Sequence, residues 1–144
     1  MNRIRKTLWP KKVLAVENCL LRCMKQDNFA ILFYKNLFFL NPLIEESFKN
    51  TDWEHQHKAL YFAIDHLIGF FKEDDQIHHR HIARIAETHS QKNLNIHPHS
   101  YYYWIDAMVL TIKEMDPLWE KKFEFYLREC LFFPVSFIIS LYHK

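Results

Sequence analysis

Apolar residues recur at three- and four-residue intervals over long segments of the chain, the spacing of helices that each bury one face. A first amphipathic helix is predicted over Lys12–Lys25, through Leu14, Val16, Leu20 and Leu21. After a tight break a second runs from Asn28 to Leu40 with Phe33, Leu37 and Phe38 facing inward. Asn41 can cap and Pro42 suits a first helical position, so a short third helix runs toward Phe48 and stops at Lys49-Asn50. Thr51 followed three residues later by Glu54 forms a capping box. It opens a long helix whose inward positions are Gln56, Leu60, Ala63, Ile64, Leu67 and Phe71.

Asp74-Asp75 precede a helix over Ile77–Ser90 that turns Ile82, Ile85, Ala86 and His89 to one side. A polar loop containing Pro98 leads past Ser100 to a helix over Trp104–Met115. Asp116-Pro117 offers another cap and first-position proline, predicting a last helix to Tyr142 with a kink at Pro134. The chain has one glycine, Gly69, which removes the usual material for hairpins and phosphate loops. The expected fold class is therefore all-α, with no internal repeat, linker or low-complexity tract.

Composition narrows the function classes. With 144 residues, 49% hydrophobic and 17% aromatic, the chain suits one buried core and a single domain over 1–144. The formal net charge is +2, and basic and acidic residues are interspersed, which argues against nucleic acid as a partner. Cys19, Cys23 and Cys130 are odd in number and lack C-x-x-C spacing, so neither a disulfide framework nor a structural zinc site is expected. Cys19 and Cys23, one turn apart, read as small buried hydrophobes. A reducing cytoplasm is the simplest setting. The basic start, Arg3 to Lys12, resembles the first part of a signal peptide, but Glu17, Asn18 and Arg22 interrupt the apolar stretch that follows. The most apolar run, Leu131–Tyr142, falls well short of the ~20 residues that span a bilayer, so no membrane partner is expected.

Histidine clusters at His78-His79-Arg80-His81 and His97-Pro98-His99 invite a metal reading. His78 and His81 share a face, yet no third ligand is evident, and solvated surface histidines are the simpler reading. His89 differs, because it sits on the inner face of its helix within Ile85-Ala86-Glu87-Thr88-His89-Ser90. Upstream stand Phe33-Tyr34-Lys35-Asn36-Leu37-Phe38, then Asn41-Pro42 to Phe48, then Thr51-Asp52 with Gln56 and Leu60; downstream is Leu94-Asn95-Ile96. In order and spacing these runs resemble the globin family, specifically the bacterial single-domain globins and the haem domain of flavohaemoglobins. The resemblance covers nearly the whole chain and implies a three-over-three helical sandwich around haem.

The resemblance implies haem b, with His89 as the proximal iron ligand and Phe48 wedged against the porphyrin. It implies Leu60 packed above the iron and Tyr34 with Gln56 as the distal pair. Thr88, Ile96, Tyr101 and Trp104 complete the cofactor-contacting set, Tyr101 matching a tyrosine often found beside the proximal ligand. The carbonyl of Ile85 or the hydroxyl of Thr88 lies within a helical turn of His89 and can fix its tautomer. Tyr34 and Gln56 can both donate hydrogen bonds, each adding roughly 1–3 kcal/mol to a ligand that gains negative charge on binding. His55 and His57 flank Gln56, and a rotation of that helix would present one of them to iron, although on an ideal helix each points about 100° away. One departure stands out. Flavohaemoglobin-like globins carry a glutamate on the last helix in the proximal network, and Leu141 falls about where it is expected.

By the same resemblance the chain is expected to coordinate dioxygen, carbon monoxide and nitric oxide, and to turn nitric oxide into nitrate. No G-x-G-x-x-G loop and no length for a flavin domain are present, so a separate reductase is the expected electron source. The alternatives are a non-enzymatic oxygen carrier or scavenger, and a gas sensor acting through a non-covalent partner. A homodimer is compatible with all three.

Overall fold

The computed structural model describes residues 3–72 and 76–144, so Asp74-Asp75 lie outside the described residues. The helices are α1 (Arg3–Met24), α2 (Phe29–Leu40), α3 (Pro42–Glu46), α4 (Trp53–Lys72), α5 (Gln76–His89), α6 (Pro98–Met115) and α7 (Phe123–Ser140). Among the described residues there is no strand. α1, α4 and α5 form one layer, and α2, α6 and α7 the other. Contacts of α7 with α1, α4 and α5, and of α2 with α4, join the two.

Each helix follows the apolar rhythm, but several ends are set by other residues than those expected. α1 begins at Arg3 rather than Lys12, taking the basic start into the helix. Its buried face is Val13, Val16, Cys19, Leu20 and Cys23, while Leu14 and Leu21 are exposed. Asn41 accepts from the Leu43 amide at 3.1 Å, as its capping role requires. The capping box at Thr51 does not form. Asp52 takes that place, its carboxylate accepting from the His55 amide at 3.3 Å, so α4 starts at Trp53. Pro98 was expected in a loop and instead occupies a first helical position, so α6 starts six residues ahead of Trp104.

Asp116-Pro117 does not start the last helix. The Asp116 carboxylate, buried, receives Arg22 at 2.7 and 2.8 Å and the Leu118 amide at 3.0 Å, closing a turn that delays α7 to Phe123. Burial alone acts against the Asp116 anion, but these donors outweigh it and hold the carboxyl below its ordinary range. Cys19 and Cys23 lie beside this pair, and burial first, then the Asp116 charge, pushes both thiols up to about 12. They are small core hydrophobes, as their spacing suggested.

Two buried polar contacts set the helix register around the core. Asn36 on α2 donates to Thr111 on α6 at 3.0 Å, and Thr111 donates back to Ala107 at 2.7 Å. Trp9 on α1 donates to the Phe71 carbonyl at the end of α4 at 3.1 Å. No helix among the described residues is long and apolar enough to cross a membrane.

Candidate functional site

Between the two layers lies a cavity of about 630 Å³, within the size range of cofactor pockets. Tyr34 and Leu37 of α2 line one side, with Phe48 and Ile44 closing the corner beyond. α4 presents Gln56, Ala63 and Leu67. α5 and the segment after it contribute Ile85, His89 and Ile96, while Tyr101 and Trp104 come from α6 and Val135 and Ile138 from α7. Exposed Ser47, Asn95 and His97 also line it and mark its solvent side. No cysteine is among the lining residues.

On one wall, Gln56 Nε2 donates to the Tyr34 hydroxyl at 2.8 Å. Tyr34 is buried, and desolvation raises its phenol above the ordinary value, the Gln56 contact pulling the other way. The ring packs against Phe48 at 5.6 Å, Trp53 at 5.1 Å and a stacked His57 at 6.0 Å between centroids. Asn36, two positions along α2, locks that helix to α6, which gives the Tyr34 ring a fixed platform.

On the other wall, His89 Nδ1 lies 3.1 Å from the Tyr101 hydroxyl. This replaces the expected partners. The helix turns the imidazole toward α6, so neither the Ile85 carbonyl nor the Thr88 hydroxyl is its contact. Desolvation lowers the His89 pKa below 6.5 and keeps the ring neutral, while burial holds Tyr101 well above its ordinary value as a phenol. A neutral imidazole either donates from Nδ1 to the Tyr101 oxygen or accepts the Tyr101 O–H there. Nε2 has no hydrogen-bond partner among the described residues. With the proton on Nδ1, Nε2 is an unfilled acceptor, which in an apolar cavity of this volume fits a planar metal-bearing macrocycle held by one imidazole.

Of the residues singled out from sequence, Tyr34, Phe48, Gln56, His89, Ile96, Tyr101 and Trp104 converge on this cavity. Leu60 does not line it, being packed in the hydrophobic core at 3% exposure, and Ala63 and Leu67 face the cavity from α4 instead. Thr88 is exposed, on the outer side of α5. His55 is exposed and His57 is stacked on Tyr34, so α4 presents Gln56 rather than either histidine. His97 went unnoticed as a cavity residue, since its sequence neighbours read as a surface motif. Val135 and Ile138 also went unassigned, although their three-residue spacing on an apolar helix was a usable signal.

No protein-family model matches the chain, and no curated protein sequence does. A solved structure from Pseudomonas aeruginosa PAO1, described as structurally highly homologous to a human hemoglobin, superposes with a TM-score of 0.85. The match is 22% identical and covers 92% of this chain and 99% of that one. The chain has the globin fold. Within that fold Gln56 of α4 and His89 at the end of α5 both line the cavity.

Proposed function

We propose that this globin-fold chain binds haem b in the cavity and coordinates dioxygen, and also carbon monoxide and nitric oxide, on the side of Tyr34 and Gln56. The observation that carries the proposal is the pairing of two walls: a neutral His89 with Nε2 unpartnered, and a Gln56–Tyr34 hydrogen bond aimed into the same space. The bound iron supplies an open coordination position for a diatomic ligand. His89 Nε2 is the protein ligand. With Nε2 given to the iron, the ring proton would sit on Nδ1 and donate to Tyr101 3.1 Å away, which fixes the ring orientation. The absence of cysteine among the lining residues favours a macrocycle held without covalent attachment.

Gln56 occupies one lone pair of the Tyr34 oxygen, which leaves the Tyr34 O–H free to donate toward a ligand. Phe48, Ile96 and Trp104 supply apolar contact, and His97 with Ser47 would hold the carboxylates of the macrocycle. The reaction we attach to this site is conversion of nitric oxide to nitrate with electrons from a separate reductase. Reversible oxygen carriage is favoured instead by one observation: the group beside His89 Nδ1 is a neutral phenol and not a carboxylate, so it draws little proton density from the imidazole and lends little push for bond cleavage.

The test is the visible spectrum of haem-reconstituted protein, reduced and then treated with carbon monoxide, beside His89→Ala. A five-coordinate reduced spectrum that shifts with carbon monoxide and is lost in the variant supports the proposal. A six-coordinate reduced spectrum, or no retained haem, overturns it. Nitrate formation from nitric oxide and oxygenated protein, measured with an artificial reductant, then decides between dioxygenase and carrier.

A further inference from the structure

The chain's one glycine and three of its histidines meet at the junction of α4 and α5, away from the cavity. His66, buried on α4, and His78, near the start of α5, face each other with their Nδ1 atoms 2.9 Å apart. His81, one turn on from His78, lies stacked on the His66 ring at 4.0 Å and 26°. Phe62 covers the group edge-on, 4.3 Å from His66 and 5.3 Å from His81. The His78 ring rests directly on Gly69, where an added Cβ would come within 2.2 Å of it. The single position without a side chain in this protein is thus the seat of one imidazole.

We propose that His66 and His78 form a chelating site for a divalent transition-metal ion of the Zn²⁺ class, with His81 as the third imidazole. Neutral imidazole nitrogen is a preferred ligand for such ions. Two nitrogens bound to one tetrahedral zinc at about 2.0–2.1 Å stand roughly 3.3 Å apart, so the pair opens by only about 0.4 Å to admit the ion. The present contact needs one Nδ1–H and one lone pair, whereas the ion needs both lone pairs. One ring therefore gives up its Nδ1 proton on binding, to its own Nε2 or to solvent. Among the described residues no three metal-ligating side chains already converge on a point, so His81 joins by rotating off the His66 ring, and water fills the remaining position. In the sequence His78 and His81 share a helical face with no third ligand nearby. His66, twelve residues upstream on another helix, supplies it.

The site is independent of the proposed haem function, since neither His89 nor any cavity residue takes part. The probe is Zn²⁺ alone, titrated calorimetrically into the full chain and into His78→Gln, Gly69→Ala and, as the control on the other histidine pair, His99→Gln. The expected result is one equivalent bound by the parent and His99→Gln, with affinity weaker by roughly tenfold or more in the other two. Gly69→Ala is the sharper variant because it keeps every imidazole and only displaces the His78 ring, while alanine itself favours the helix. Circular dichroism establishes that each variant is folded. Electron paramagnetic resonance of bound Cu²⁺ should show at least two coordinating nitrogens. Absence of saturable binding, binding unchanged in both His78→Gln and Gly69→Ala, loss only in His99→Gln, or fewer than two copper-bound nitrogens would each overturn the site.

Discussion

Gln56 donates to the Tyr34 hydroxyl at 2.8 Å, so the two residues act as one unit in which the amide orients the phenol. Removing the phenol oxygen takes away the donor, whereas removing the amide only frees it to rotate. Tyr34→Phe in haem-reconstituted protein should speed dioxygen dissociation by about 10- to 100-fold, matching the loss of a hydrogen bond worth roughly 1.5–3 kcal/mol. Gln56→Leu should have a smaller effect, and the double variant should resemble Tyr34→Phe alone. Flash photolysis or stopped-flow replacement by carbon monoxide measures all three. Additive effects would mean that the two side chains act separately.

His89 is held neutral by desolvation, its pKa lowered from 6.5. In the unfolded chain the same imidazole protonates near the ordinary value, so below that pH the unfolded state binds more protons than the folded state. Stability of the haem-free protein should therefore fall as pH drops through about 6.5 toward the depressed value, and this component should be absent in His89→Phe. Urea midpoints for both proteins at pH about 7.5 and about 5.5 give the comparison. An equal pH dependence in parent and variant would place the proton uptake at other histidines.

The helices were legible because they rest on local periodicity, which also put Gln56 and His89 on inward stripes, whereas Tyr34, Phe48 and Trp104 were legible as cavity residues only through the resemblance to globins. Helix ends were less legible, since capping residues compete. Thr51 and Asp52 are adjacent and both can cap, and it is the Asp52 carboxylate that accepts from the His55 amide. Asp116 is diverted by Arg22, 94 residues away, a partner no local pattern contains. The same limit hid the meeting of His66 with His78, while the resemblance to globins placed Tyr101 beside His89 and left their hydrogen bond unassigned. Leu60 fell on the correct stripe of α4, but a stripe wider than the cavity puts some of its members into the core.

The Arg22–Asp116 pair should be among the costliest to break. The Asp116 side chain is fully buried and receives two guanidinium hydrogen bonds, so Arg22→Met strands an uncompensated carboxylate. The expected loss is about 3–5 kcal/mol in urea denaturation. Asp116→Asn, which leaves no buried anion, should cost less. Because the folded-state pKa of Asp116 is lowered, the stability it contributes is present above its ordinary value of 3.8 and is lost as pH falls below it. Arg22→Met should lack this acid-labile component.

Tyr142, just past the end of α7, ties the C-terminal turn to the segment that follows His89. Its hydroxyl donates to the Asn95 side chain, and its carbonyl accepts from the Gln91 amide at 2.9 Å. Asn95 sits at φ 53, a left-handed conformation that asparagine tolerates better than most residues. The same segment returns to α5 through the Ile96 amide, which donates to the His89 carbonyl at 2.9 Å, and it carries Ile96 and His97 to the cavity. Loss of the hydroxyl should loosen this wall without disturbing the helical core. Tyr142→Phe should therefore lose haem to an apoglobin acceptor several-fold faster, while its stability as apoprotein in urea denaturation falls by only the worth of one hydrogen bond, about 1 kcal/mol. Asn95→Ala removes the same contact and adds the strain of a left-handed alanine, so its haem loss should be at least as fast. Unchanged haem retention in both variants would show that the cavity wall holds its shape without the C-terminal tie.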